Sequence, residues 1–248
     1  NFRKQAKRFE AEFVDENVVE LKISPSKTYE VKTDAENVYI GKAVIVATGA
    51  SAKWLGLESE QRLRGKGVSA CATCDGFFFK DKVTAVVGGG DAAMEEALFL
   101  TKFSPKVYII ARKARGELKA SAYMLRKAQN NSRIEFIYNA EVREVLGDSS
   151  VEGIRVFNTL TGVGSVLGEV KGLFVAVGHK PNTEFLKGLV DLGKMDYAVV
   201  KDNVYSTQEG LFIAGDVADH KYRQAITAAG FGCMAAIEAE KYLSSRNL

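Results

Sequence analysis

The chain has 248 residues, enough to bury a substantial core and to divide into two domains. Its 34 basic and 31 acidic side chains leave a net charge of only +3, and no long Lys/Arg tract is present, which argues against nucleic acid as a partner. No apolar run approaches the length of a membrane span, Asn1 opens a polar, basic segment rather than a signal peptide, and three cysteines do not make a secretory disulfide framework.

Phe2 to Phe9 reads as a basic amphipathic helix, and Val18–Ile23, Thr28–Val31 and Asn37–Ile40 as short alternating strands. Ala43–Ala47 is a β-branched run expected to form a buried strand. It ends in Thr48-Gly49, where an α/β sheet either admits a cofactor close to its backbone or simply turns. Ser51 to Gly67 reads as a loop-rich link, with a domain crossover near Trp54.

The most informative stretch is Cys71-Ala72-Thr73-Cys74-Asp75-Gly76. Two cysteines three apart can close a small disulfide ring and open it again, and an acid stands directly after them. The competing reading, half of a structural metal site, needs further thiolate or imidazole ligands. Only Cys233, His179 and His220 remain, none in a second ligand pair. A catalytic thiol pair belongs in a reducing compartment, so the expected location is the cytoplasm, or an organellar stroma or matrix.

Fourteen residues beyond Cys74 the chain enters Gly88-Gly89-Gly90-Asp91-Ala92-Ala93, between the apolar strand Val83–Val87 and a helix expected over Asp91–Lys102. In Gly88-x-Gly90-x-x-Ala93 the first glycine permits the turn. The second lets backbone N–H groups approach a pyrophosphate, whose charge the helix start favours. A lone G-x-G-x-x-A is a weak signal; one framed by strand and helix is a specific one. The next strand, Lys106–Ile110, runs into Ala111-Arg112-Lys113-Ala114-Arg115, with no acid until Glu117. An acid at this point accepts from ribose hydroxyls, whereas Arg112, Lys113 and Arg115 suit a 2′-phosphate, or else form a solvated basic face.

Leu118–Ala128 reads as a helix, Ile134–Tyr138 as a strand, and Glu141–Leu146, Gly153–Asn158 and Ser165–Glu169 as alternating strands, with Thr161-Gly162 turning between the last two. Leu173–Val177 leads to Gly178-His179-Lys180-Pro181, where His179 reads as a hinge or hydrogen-bonding residue rather than a base. Strands are expected at Tyr197–Val200 and Leu211–Ala214, the latter ending in Gly215-Asp216. Asp216 is placed either to bond a ligand hydroxyl or to cap the helix expected over Arg223–Leu243. Cys233 lies among small residues and reads as a buried thiol.

With these pieces assembled, the chain resembles the low-molecular-weight thioredoxin reductases, of the plant and cyanobacterial type, over essentially its whole length. Cys71-Ala72-Thr73-Cys74-Asp75-Gly76, Val87 to Ala93, Ala47-Thr48-Gly49-Ala50, Gly215-Asp216 and Lys221-Tyr222-Arg223-Gln224-Ala225 carry the likeness. It implies an α/β fold of two Rossmann-like domains, with an NADPH domain (54–179) inserted into a FAD domain (1–53 and 180–248). It further implies a homodimer passing electrons from NADPH through FAD and the cysteine pair to thioredoxin, with no nucleic acid and no membrane involved. Cys74 would face the flavin as its charge-transfer thiolate, Cys71 would attack thioredoxin, and Asp75 would handle the thiol proton. Thr48, Gly49, Gly215, Asp216, Arg223, Gln224 and Ala225 would hold FAD, and Gly88, Gly90, Asp91, Ala92, Ala93, Arg112, Lys113 and Arg115 would hold NADPH.

Two departures stand out. The family's opening strand and Gly-rich FAD pyrophosphate turn have no counterpart between Asn1 and Gly49, so a segment ahead of Asn1 is expected. At the 2′-phosphate site Ala111 replaces a histidine, Lys113 an arginine, and Lys119 stands near a later arginine of the family. The alternatives carried are a relative with another electron donor such as ferredoxin, a dithiol oxidase or peroxiredoxin-system reductase, and a remnant without FAD.

Overall fold

In the computed structural model, which describes residues 2–193 and 195–246, the early alternating segments become an antiparallel meander. After α1 (Phe2–Lys7), strands β1 (Val18–Ile23), β2 (Tyr29–Thr33) and β3 (Val38–Gly41) pair in sequence order. Period-two alternation sends Leu21, Tyr29 and Thr33 inward and leaves Val38 and Ile40 outside. β4 (Val44–Val46) and β5 (Ala50–Ala52) close this part of the chain.

The chain divides into two units, Asn1–Ser51 with Lys180–Leu248, and Ala52–His179. The second unit runs through α2 (Glu58–Arg62), β6 (Val68–Ser69), α3 (Ala72–Asp75), a 3-10 turn (Gly76–Phe79), β7 (Val83–Val87), α4 (Asp91–Leu100) and β8 (Val107–Ile110). It continues with α5 (Ala122–Gln129), β9 (Ile134–Ile137), β10 (Ala140–Leu146), β11 (Gly153–Asn158), β12 (Gly164–Leu167) and β13 (Val170–Val175).

Its centre is a five-stranded parallel sheet in the order β6-β13-β7-β8-β9. Strands covered on both faces need continuous apolar runs, and β7, β8 and β13 supply them. Val86, Ile109 and Phe174 face Ala93, Met94, Ala97 and Leu100 of α4. Ala85, Ile110 and Leu173 face Val142, Val145 and Ile154 of the antiparallel sheet β10-β11-β12. The result is three layers, helix, parallel sheet and antiparallel sheet. Two fully buried hydroxyls in this region satisfy each other, Thr84 and Ser104 lying 3.1 Å apart.

The first unit resumes with β14 (His179–Pro181), which pairs with β5 in a two-stranded ribbon. A 3-10 turn (Glu184–Leu186), β15 (Leu211–Ile213), a second such turn (Gly215–Val217) and α6 (Ala225–Ser245) complete it, and β15 pairs in parallel with β4. Among the described residues no helix is long and apolar enough to cross a membrane.

Several expectations are corrected. β4 is not fully buried, because β15 is its sole partner strand among the described residues and Ile45 remains 40% exposed. Ser51–Gly67 holds the end of β5 and α2 rather than loop alone. Leu118–Ser121 is not helical, since α5 starts only after Ser121, whose hydroxyl caps it by accepting the Met124 N–H. Among the described residues Tyr197–Val200 forms no strand and makes only a single bridge, Leu192 to Ala198. Cys233 is exposed. α6 buries Ala235 and Ala239, and a residue two positions earlier points about 200° around the helix from Ala235.

Candidate redox and nucleotide sites

Because β6, β13 and β7 run parallel as neighbours, the segments leaving their carboxyl ends emerge at one edge of one sheet. β6 delivers Cys71 to that edge and β7 delivers Gly88, so the thiol pair and the Gly-rich turn share it although they are apart in sequence.

Cys71 and Cys74 form a disulfide with their Cα atoms 5.3 Å apart. Cys71 is the residue that precedes α3, and its sulfur accepts the Cys74 N–H at 3.2 Å. The Thr73 hydroxyl lies 3.3 Å from the same sulfur and must be the donor, a disulfide sulfur having no proton. Two donors aimed at Cys71 Sγ favour negative charge there once the bond is reduced. Asp75 closes α3 and takes a hydrogen bond from Ser69 Oγ at 2.6 Å. Immediately beyond, Phe77 and Phe78 are 66% and 69% exposed, while Phe79 turns inward against Phe174. Two solvent-facing aromatic rings beside a redox bond are a natural contact for a protein partner.

At the Gly-rich turn, Gly88 has φ +155°, and a Cβ there would stand 2.6 Å from the Ala176 carbonyl oxygen and 2.8 Å from Ala93 Cβ. Only glycine fits. A Cβ on Gly90 would meet nothing within 4 Å, so this residue leaves open space in front of α4. Ala92 and Ala93 form the first turn of α4. The Asp91 carboxylate is engaged, accepting the Ser121 N–H at 2.6 Å and so tying the start of α4 to the start of α5. Arg112, Lys113 and Arg115 lie exposed on the segment after β8, whereas Ala111 is buried.

In the other unit β4 and β15 run parallel, so Thr48-Gly49 and Gly215-Asp216 likewise emerge at one edge. Gly49 and Gly215 both have left-handed backbone, at φ +69° and +77°. Thr48 Oγ1 donates to the Asn182 carbonyl at 2.9 Å, and Asn182 Nδ2 donates to the Thr48 carbonyl at 2.8 Å. Asp216 Oδ1 is buried without a hydrogen-bond partner. Burial, and next the charge of Asp219, push the Asp216 carboxyl above its usual range, against the pull of Arg223. An orphaned buried acceptor of this kind fits a hydroxyl-bearing ligand.

Asp219 and Asn182 were not foreseen from the sequence. Asp219 accepts the N–H groups of Lys221, Tyr222 and Arg223 at 2.9, 2.9 and 3.1 Å and thereby shapes the turn in which Arg223 adopts φ +50°. Burial works to raise its pKa, but the N–H groups of Tyr222, Lys221 and Arg223 together outweigh burial and hold it low. The Gln224 side chain donates to the carbonyls of Tyr222 and Arg223, and Ala225 opens α6. An acid just ahead of Lys-Tyr-Arg is the signal that would have marked Asp219 as an Asx-type turn.

Residues 3–232 match the Pyridine nucleotide-disulphide oxidoreductase family. The chain is 47% identical over 247 residues to a thioredoxin reductase of Mycolicibacterium smegmatis, covering 99% of this chain and 78% of that protein. It is 47% identical over 252 residues to the mitochondrial thioredoxin reductase 1 of Arabidopsis thaliana, covering 98% of this chain and 66% of that one. The solved thioredoxin reductase of Giardia duodenalis superposes with a TM-score of 0.90 at 38% identity, over 98% of this chain and 79% of that structure. With the disulfide, the acid and the two glycine-lined strand edges already in place, the chain belongs to the pyridine nucleotide-disulphide oxidoreductases, and within them to the thioredoxin reductases.

Proposed function

We propose that the chain is a thioredoxin-disulfide reductase that takes electrons from NADPH by way of FAD and delivers them through Cys71 and Cys74 to the disulfide of thioredoxin. The observation that carries this reading is the Cys71–Cys74 disulfide, set beside an acid at the edge where the Gly-rich turn also emerges.

The unit formed by Asn1–Ser51 and Lys180–Leu248 is assigned to FAD, and Ala52–His179 to NADPH. The fit to FAD rests on the orphaned Asp216 Oδ1, which seeks a hydroxyl donor such as a ribityl group, and on the left-handed glycines beside it. Thr48, Gly49, Gly215, Asp216, Arg223, Gln224 and Ala225 would hold that group. The fit to NADPH rests on the open space at Gly90 and the exposed basic trio Arg112, Lys113 and Arg115. Gly88, Gly90, Ala92 and Ala93 would line the pyrophosphate, and Asp91 would brace the turn through Ser121. When bound, FAD supplies the two-electron relay between the nicotinamide and the disulfide.

The protein's own residues then do the exchange chemistry. In the reduced pair, Cys71 is the attacking thiolate, supported by Thr73 and by the Cys74 N–H. It attacks one sulfur of the partner disulfide; that S–S bond breaks, and the departing thiolate takes a proton from Asp75. Cys74 attacks Cys71 Sγ in turn, which re-forms the internal disulfide and frees the partner's second sulfur, so two electrons pass to the partner. Phe77 and Phe78 present the apolar surface on which the partner sits. The working form is a homodimer, located in the cytoplasm or in an organellar stroma or matrix.

The test is NADPH-dependent reduction of thioredoxin by flavin-reconstituted protein, with the flavin spectrum followed in the same cuvette. Bleaching of the flavin by NADPH and its reoxidation on adding thioredoxin is the expected result. A protein that binds flavin yet leaves thioredoxin oxidised, whatever the reductant, overturns the reading.

A further inference from the structure

Ser69 stands outside the residues assigned above, yet it touches both ends of the redox turn. It is the last residue of β6 and is only 8% exposed. Its hydroxyl donates to Asp75 Oδ2 at 2.6 Å, while its oxygen accepts the Cys71 N–H at 3.1 Å. Acceptance from an N–H two residues on is ordinary turn geometry for serine. Donation to a carboxylate six residues away is not part of such a turn, and it spends the hydroxyl's single proton on the acid beside the disulfide.

We propose that Ser69 is a positioning residue for disulfide exchange, tying the Asp75 carboxylate to the backbone of Cys71 so that acid and attacking sulfur keep one geometry through the redox cycle. This rests on the reading of Asp75 as the group that handles the thiol proton. Ser69 suits the task because β6 is itself held by β13, with Ser69 opposite Phe174. When Asp75 accepts a thiol proton, Ser69 loses its best acceptor, and return of that proton to the departing thiolate restores it. Ser69 itself undergoes no net change.

α3 packs chiefly against α4 and the 3-10 turn at Gly76–Phe79. α4 carries Asp91, Glu95 and Glu96, the turn carries no charge, and β6 carries none. No basic side chain on these elements competes with Ser69 for the Asp75 carboxylate.

The test is single-turnover exchange between the full chain, pre-reduced with dithiothreitol and desalted anaerobically, and bis(2-hydroxyethyl) disulfide, whose departing thiolate is basic enough to need a proton. Acid quenching and mass spectrometry count the re-formed Cys71–Cys74 bond over time at one pH, so bound flavin is not required. The Ser69→Ala protein is expected to lose about tenfold in maximal rate, with half-saturation by the disulfide unchanged. Ser69→Thr keeps the hydroxyl and retains the wild-type rate, whereas Asp75→Asn is slowed at least as much as Ser69→Ala, and the double variant is no slower than Asp75→Asn alone. A Ser69→Ala protein with the wild-type rate, beside a slowed Asp75→Asn protein, overturns the role of Ser69 and leaves Asp75 standing. An Asp75→Asn protein with the wild-type rate overturns both. Ser69→Thr behaving like Ser69→Ala also overturns the proposal, since the effect would then come from side-chain volume and not from the hydroxyl.

Discussion

The Glu60 carboxylate accepts the Leu55 backbone N–H at 2.9 Å from a position with no solvent exposure. Its second oxygen takes the N–H groups of Gly56 and Leu57 at 3.0 and 3.4 Å, so one side chain satisfies the whole turn that leads into α2. Glu60→Ala removes these acceptors and leaves buried donors unpaired, for an expected loss of about 2–4 kcal/mol in unfolding free energy by urea titration. Glu60→Gln keeps one acceptor oxygen and should lose less.

The two cysteines are expected to fail differently. Cys71→Ser removes the sulfur that Thr73 and the Cys74 N–H support, so thioredoxin turnover should fall below detection while Cys74 still reacts with alkylating reagents. Cys74→Ser leaves Cys71 able to attack and unable to resolve, so mass spectrometry should find the partner trapped on Cys71 as a mixed disulfide. Trapping on Cys74 instead would reverse the assignment.

The exposed basic trio makes a prediction about cofactor choice. Arg112→Ala should reduce kcat/KM for NADPH by about ten- to a hundredfold and scarcely change that for NADH, because a charge-assisted contact to phosphate is worth roughly 1.5–3 kcal/mol. The preference of the wild type should shrink as salt rises, these side chains being open to screening. Steady-state kinetics with both nucleotides in low and high salt check both statements.

Asp216 ties stability to pH. Its folded-state pKa is raised, chiefly by burial, so the folded protein holds the proton more tightly than the unfolded chain does. Stability therefore falls as pH rises from the ordinary carboxylate value through the raised one. Asp216→Asn lacks this penalty. In flavin-free protein its melting temperature should exceed that of the wild type at neutral pH, and the gain should vanish as pH drops through that window. The same variant should bind FAD more weakly, since the amide offers the ribityl hydroxyl an uncharged acceptor.

Much of this architecture was legible in the chain. The β7-α4-β8 segment could be read because doubly covered parallel strands must be apolar throughout and the intervening turn admits only glycine at position 88. The redox pair could be read from its spacing. What escaped depended on partners distant in sequence or on context that periodicity does not carry. Leu118–Ser121 has helical composition, but the Ser121 N–H is taken by Asp91 from 30 residues away and the helix begins beyond it. The Thr48 hydroxyl donates to the Asn182 carbonyl, 134 residues later, a partner that no local pattern announces. Tyr197–Val200 alternates like a strand yet finds no strand to pair with, and propensity without a ladder does not make a sheet. Ser69 and Asp219 carry no motif of their own, and their importance lies wholly in which N–H and carboxylate groups lie within reach.

The strand order also governs when the redox turn can mature. Among the described residues β6 pairs with no strand that precedes it or comes soon after it, for its neighbour is β13, with Val68 opposite Leu173, 105 residues further on. As the chain leaves the ribosome, β7, α4 and β8 can assemble from local contacts, while the cysteine segment waits at the margin without its ladder. The β6 ladder thus depends on closing a loop of about a hundred residues, the most entropically costly kind of contact in the sheet. A nascent chain halted before Val170 should accordingly leave the β6 segment more open to limited proteolysis than one released after Val175.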